Sequence, residues 1–375
     1  MTAPPRPGPN AVSAPPPAAE ALAVLDRPAD PAAILALAES EPGYDVEWWR
    51  DALRAGLFSG GLPGGSGGFA ATVDHLRRLA GAAVPSPVHN GLVQSGALLA
   101  ALGEREHLRM LLAGERRYAF CLTEPDGGSA SGSGRTRAAP DGRIDGVKCY
   151  VPYAGDADVL LVVARTEHGP GVFAVDATTP GVTLEPIPTI GLDRQCAVHF
   201  DAAAATPLGG ALSGEAAAAL DAARARGVLA LAADALGAAE AALRYTVERV
   251  TTRVQQGSPL GARQAVKHRC ADMLLDVTLV RGVAERAARL VDERAPADDV
   301  RRAAAVAAAV AAERCRRVTA SAHQLGGGDG FHADRPLHLW YRRVKAAEPV
   351  LGGPRWHRAV VASTLLDSPR SEGSG

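Results

Sequence analysis

Aromatic side chains are scarce in this chain: 6 Phe, 6 Tyr and 4 Trp make up 4% of its 375 residues. Net charge is nearly absent too, with 40 Lys and Arg against 41 Asp and Glu and a formal balance of −1. That balance excludes a global electrostatic attraction to nucleic acid or to an anionic membrane. No run of about 18 residues is both apolar and uncharged, so no membrane span is expected. The five cysteines (Cys121, Cys149, Cys196, Cys270, Cys315) form no Cys-X-X-Cys pair and are odd in number. Free thiols in a reducing cytoplasm are expected, rather than a disulfide framework or a thiolate metal site. No internal repeat is visible. The opening MTAPPRPGPNAVSAPPPAAE lacks the apolar centre of a secretory signal, and residues 1–20 read as a disordered tail, as do 367–375.

What the chain has is alanine, glycine and changes of texture. Hydrophobic residues make up 47% and charged residues 22%, ordinary values for a globular protein. Much of the alanine sits in long stretches where its helix propensity counts most. Over 21–115, segments such as PAAILALAES, VEWWRDALRAGLF and TVDHLRRLAG repeat apolar residues at three- and four-residue spacing, as helices do. Over 116–210, short β-branched runs (IDGVKCYV, ADVLLVVART, AVHFDA) are divided by Asp, Gly and Pro, the pattern of an antiparallel sheet or barrel. Over 211–366 the helical pattern returns in four long segments, one of them stopping at Gly326 and another broken near Pro349. Helices, then a sheet, then a helical bundle is an α+β plan.

LTEPDGGSASGSG, at 122–134, combines an acid, a proline and much bare backbone. A phosphate loop, a linker and a cofactor-edge turn are the alternatives. It lacks the Gly-Lys-Ser/Thr ending of a phosphate loop and precedes a sheet rather than a helix. His323, His332, His338 and His357 gather near the C-terminal motif without metal-ligand spacing, so no metal is expected.

Four stretches, in order, resemble the acyl-CoA dehydrogenase family across nearly the whole chain after the tail. They are LTEPDGGSAS (122–131), DGVKCYVPYAGDADVLLVVART (145–166), RVQQGSPLGARQAVKHRCADM (253–273) and QLGGGDGFHADRPLHLWYRRVK (324–345). The resemblance implies an N-terminal helical domain, a middle antiparallel β-domain and a C-terminal four-helix bundle. It also implies FAD held between the β-domain, the bundle and a neighbouring subunit of a dimer or tetramer. Carried over residue by residue, the cofactor-binding candidates are Leu122, Thr123, Ser129, Tyr150, Arg253, Gln264, Gln324, Gly327 and Gly328. Thr123 and nearby amides would face the polar edge of the flavin, where reduction places charge. Ser129 would face the carrier arm of a thioester, Tyr150 would cover one flavin face, and the Arg253 guanidinium would suit a pyrophosphate. Simple turn capping by Thr123 and Ser129, and a solvated helix end for Arg253, are the structural alternatives. Departures from the family are Pro152, which has neither hydroxyl nor amide hydrogen where a threonine is usual, and Ala130 where an aspartate is usual.

The family's catalytic carboxylate has no counterpart here. Six residues beyond Lys345 stands Leu351, followed by Gly352 and Gly353, and the alternative position on the first bundle helix is Gly227. Two acids remain as candidate bases. Asp234 lies about two helical turns beyond Gly227 in the apolar stretch VLALAADALGAA, where burial is expected to raise its pKa. Its alternative is a structural aspartate bonded to a neighbour. Glu348 is the second candidate. The function implied is FAD-dependent α,β-dehydrogenation of an acyl thioester, carried on coenzyme A or an acyl carrier protein, with electrons passing to an electron-transfer flavoprotein or oxygen. Alternatives are a flavin-dependent oxidase or monooxygenase on the same scaffold, and a catalytically incomplete subunit that pairs with another family member.

Overall fold

A computed structural model describes residues 19–126, 134–209 and 215–366. The chain opens with α1 (Ala19–Val24), α2 (Pro31–Glu39), α3 (Val46–Arg54), α4 (Phe69–Gly81), α5 (Ser95–Ala101) and α6 (Arg105–Leu112). Ala19 and Glu20, grouped with the tail on sequence grounds, belong to α1, whose Ala21 and Val24 are buried. Helix starts follow capping chemistry: the Asp30 carboxylate accepts from the amides of Ala32 and Ala33, with Pro31 in the first turn. α4 is capped from a distance, its Phe69 and Ala70 amides donating to Asp292 at 2.5 and 3.0 Å.

The middle of the chain forms β1 (Tyr118–Cys121), β2 (Arg137–Ala138), β3 (Arg143–Pro152), β4 (Val159–Thr166), β5 (Gly169–Asp176), β6 (Val182–Ile187), β7 (Gln195–Ala204) and β8 (Thr206–Pro207). The order β6-β7-β3-β2-β4-β5-β8 makes one sheet, with β1 also on β4. The expected antiparallel pattern needs correcting in the middle of the sheet. β1 and β2 pair in parallel with successive parts of β4. Arg117 fixes this start: its amide donates to Asp158 at 2.8 Å, and its carbonyl accepts from the amides of Asp158 and Val159. Between β1 and β2 the chain leaves the sheet, and it does so at Leu122.

The bundle comprises α7 (Glu215–Thr252), α8 (Gln264–Asp292), α9 (Ala297–Gly326), α10 (Leu337–Ala347) and α11 (Gly353–Leu366). α7 is alanine-rich and buried on several sides, the position of a helix that is apolar nearly all round. Small side chains let its neighbours come close. At Gly237 a Cβ would stand 1.8 Å from the Arg77 carbonyl of α4. One hydrophobic core runs through the N-terminal helices, the bundle and one face of the sheet, and a second fills the sheet's other side.

Candidate active site

Where the sheet, α7 and the end of α10 meet, they enclose a cleft of about 520 Å³. Its size suits one small-molecule group or the reacting end of a larger one.

One wall is the point where β1 leaves the sheet, and hydrogen bonds fix that departure. The Asn90 side chain clasps Phe120, accepting from its amide at 2.7 Å and donating to its carbonyl at 2.9 Å. Two residues on, buried Lys148 donates to the Leu122 carbonyl at 3.2 Å and to Glu124 at 2.8 Å. Glu124 also accepts from the amides of Arg135 and Thr136. Burial alone would push the Glu124 carboxyl up, but the Lys148 ammonium and these two amides outweigh it and hold it at about 2. Glu124 is thus a turn-building acid, facing inward. The Cys149 amide donates to the Thr123 carbonyl at 2.8 Å, leaving the Leu122 and Thr123 side chains on the cleft.

The same wall continues into β3, whose pairing with β7 slips between Lys148 and Val151. In that bulge Tyr150 adopts φ 56° and is 54% exposed, lining the cleft beside Pro152 and Tyr153. Positive φ at a non-glycine residue is uncommon and tends to mark sites that re-aim a side chain.

An adjoining wall is a π-helical turn, Val88–Gln94, which Asn90 ties to Phe120. Its wider i→i+5 winding is rare and recurs at functional sites. His89, Asn90 and Gln94 face the cleft from it, with Ser86 just before. Gln94 has room because Gly227 on α7 lacks a side chain, and a Cβ there would stand 2.4 Å from Gln94 Nε2. Ser86 Oγ, His89 Nδ1 and Gln94 Nε2 are buried and find no partner among the described residues.

Charged groups form the floor. Asp234 accepts from Arg343 Nε with both oxygens, at 2.8 and 2.9 Å, and lies 3.2 Å from His89 Nε2. Arg343 also donates to the Val84 carbonyl at 3.1 Å. Asp193, in the segment before β7, accepts from the Tyr153 hydroxyl at 3.4 Å and lines the cleft. Burial pushes Asp193 up despite the Arg343 charge nearby.

Both candidate bases take on a different character here. The expected rise in the Asp234 pKa is reversed. Burial would raise it, but the Arg343 charge and the His89 ring outweigh that and hold it well below the usual carboxylate range. Glu348 does not line the cleft. It faces a separate small pocket beside His357 and is tied to Lys345 at 2.8 Å. Among the cofactor-binding candidates, Leu122, Thr123 and Tyr150 are brought together on one wall. Arg253, Gln324, Gly327 and Gly328 lie instead at the far end of the bundle, where Arg249 and Arg253 both hold Asp329. Gly327, at φ 61°, ends α9. Gln264 begins α8, exposed, 2.9 Å from the His268 ring. Ser129 lies outside the described residues. Ser86, His89, Gln94 and Asp193 are invisible to a helix or strand pattern. The nearest signal is the polar spacing inside the apolar run PVHNGLVQ, and it requires π winding to become a single face.

Two family models match the sequence that builds these walls. The acyl-CoA dehydrogenase middle domain matches residues 119–203, and the acyl-CoA dehydrogenase C-terminal domain matches residues 216–366. The chain belongs to the acyl-CoA dehydrogenase family. It is 32% identical over 355 residues to the acyl-CoA dehydrogenase FadE27 of Mycobacterium tuberculosis, covering 88% of this chain and 90% of that one. It is also 32% identical over 278 residues to an NADH-dependent acryloyl-CoA reductase of Anaerotignum propionicum, covering 69% of each. Among solved structures, the ChsE4–ChsE5 complex of Mycobacterium tuberculosis matches with a TM-score of 0.82 at 28% identity, over 93% of this chain and 96% of that one. Acyl-CoA dehydrogenases are oxidoreductases, and family members depend on FAD. The cleft fits such a cofactor in its chemistry: an outward tyrosine beside a threonine on a pinned turn.

Proposed function

We propose that the cleft is the meeting place of FAD and an acyl thioester, and that the chain serves FAD-dependent α,β-dehydrogenation of that thioester. One observation carries this reading: Thr123 and Tyr150, the flavin-edge candidates, share a single cleft with α7 and the end of α10, the two elements on which the family's catalytic carboxylate is expected. Bound FAD would supply hydride acceptance. The protein's part is to hold and orient. Leu122 and Thr123 present the pinned turn to the cofactor edge, Tyr150 packs on its face, and apolar Phe120, Leu192 and Leu231 exclude water around an acyl chain. Ser129 and its neighbours would meet the thioester carrier. Arg253, Gln264, Gln324, Gly327 and Gly328 would meet the phosphate arm of a cofactor shared with a second subunit. Electrons would leave to an electron-transfer flavoprotein or oxygen.

A second reading, a subunit completed by another family member, is favoured by a specific feature. Gly352 of the Leu351–Gly353 turn lines the cleft where a base would stand, and Gly227 gives its space to Gln94. The ChsE4–ChsE5 structure is itself a complex of two differently named chains. Leu274, Leu275 and Leu279 lie exposed on α8 as an apolar face suited to a second subunit of this fold. The experiment that separates the readings loads the purified chain with FAD and adds acyl-CoAs without oxygen. Bleaching of the flavin by the chain alone supports a complete catalyst. A flavin that stays oxidised until a second family member is mixed in supports the subunit reading.

A further inference from the structure

The acyl side of the cleft carries a polar demand that a plain alkyl chain does not meet. Ser86 and Gln94 are 5% and 6% exposed, and Ser86 Oγ and Gln94 Nε2 have no partner among the described residues. Buried groups left this way cost stability until something bonds them. His89 Nδ1 is in the same condition. The five-residue step from His89 to Gln94 is one π turn, which sets both side chains on the face that lines the cleft.

The three atoms have complementary roles. Gln94 Nε2 can only donate. His89 Nε2 is engaged with the Asp234 carboxylate at 3.2 Å, which leaves Nδ1 as the ring nitrogen open to a ligand. The Ser86 hydroxyl donates or accepts. A donor and an acceptor together match a hydroxyl group, which gives and takes one bond each. They match a carboxylate poorly, since the local cations are already engaged: Arg343 is bound to Asp234 and Lys345 to Glu348. The rest of that side is apolar, with Phe120, Leu192, Leu231 and Val350.

We propose that the acyl group taken by this cleft carries a neutral hydroxyl beyond the reacting carbons, bound by Gln94, His89 and Ser86. This rests on the reading of the cleft as an acyl-thioester site. The test measures dissociation constants of the FAD-loaded protein by titration calorimetry, for octanoyl-CoA against its 4-, 6- and 8-hydroxy counterparts. At least one hydroxylated thioester should bind about tenfold tighter than octanoyl-CoA, the worth of one to two buried hydrogen bonds. Gln94→Leu should remove that preference, and Ser86→Ala should reduce it, with the loss seen in the acyl ligand and not in FAD. Equal binding of octanoyl-CoA and all three hydroxylated forms by the wild type overturns the proposal, whether or not the variants fold. A loss of FAD affinity in Gln94→Leu with the preference intact also overturns it, since the amide then serves the flavin. If no acyl-CoA binds at all, the underlying reading of the cleft fails and the proposal with it.

Discussion

Asp234 shows how a side chain's meaning changes with its partners. As a lone acid in an apolar helix it reads as a poised base. Its partners Arg343 and His89 lie 109 and 145 positions away and cannot be seen from local spacing. Buried, with both oxygens on the Arg343 Nε–H, it serves as a counter-ion that holds Arg343 at the cleft floor. Asp234→Asn should therefore destabilise the fold by about 3–5 kcal/mol, because it leaves a buried guanidinium uncompensated. Chemical denaturation measures this, and a fully stable Asp234→Asn protein that has lost only its chemistry would restore the base assignment. Glu124 teaches the complementary lesson: the turn at 122–126 is legible from Pro125, but the burial of its acid against Lys148 is not, because that contact joins the turn to β3, 24 positions on.

At the scale of elements, the long bundle helices are the most legible part. α7, α8 and α9 are long, continuous and rich in helix-forming residues, and their limits fall close to those the sequence pattern implies. Two elements escape it. The parallel pairing of β1 with β4 depends on where distant strands dock, not on alternation within either strand. The π-helical turn winds differently from the i, i+3, i+4 pattern by which helices are found. Close packing between elements is partly written as glycine. Gly237→Ala should push α4 from α7, since its Cβ would overlap the Arg77 carbonyl, a backbone atom unable to swing aside. The expected cost is roughly 1–3 kcal/mol, read as a lower denaturant midpoint at unchanged slope. An unchanged midpoint would mean that the two helices are less tightly docked than the contact requires.

At the scale of the whole molecule, stability should depend on pH through its buried histidines. Burial, with the Arg224 charge, pulls His357 down to about 4 from the usual 6.5, and burial also pulls down His323. The folded state favours the neutral ring while the unfolded chain binds a proton near 6.5. The stability is therefore complete above pH 6.5 and is lost as pH falls towards 4, by roughly 3 kcal/mol for His357. His357→Gln should flatten the curve of unfolding free energy between those limits, and a slope equal to the wild type's would remove His357 as its source. Assembly belongs to the same scale. Leu275→Lys places a charge in the exposed apolar row of α8 and should weaken subunit association at least tenfold, read as mass by light scattering across a dilution series. A Leu275→Lys protein that keeps its wild-type mass on dilution would free this face from any interface.

On the function proposed above, FAD and an acyl thioester meet in the cleft between the sheet and the bundle. Structure determination of the chain with FAD and an acyl-CoA bound tests it most directly. The expected result is a flavin ring against Leu122, Thr123 and Tyr150, with the acyl group running towards Gln94 and Ser86. Flavin or acyl density elsewhere on the molecule, with this cleft holding only solvent, would contradict it.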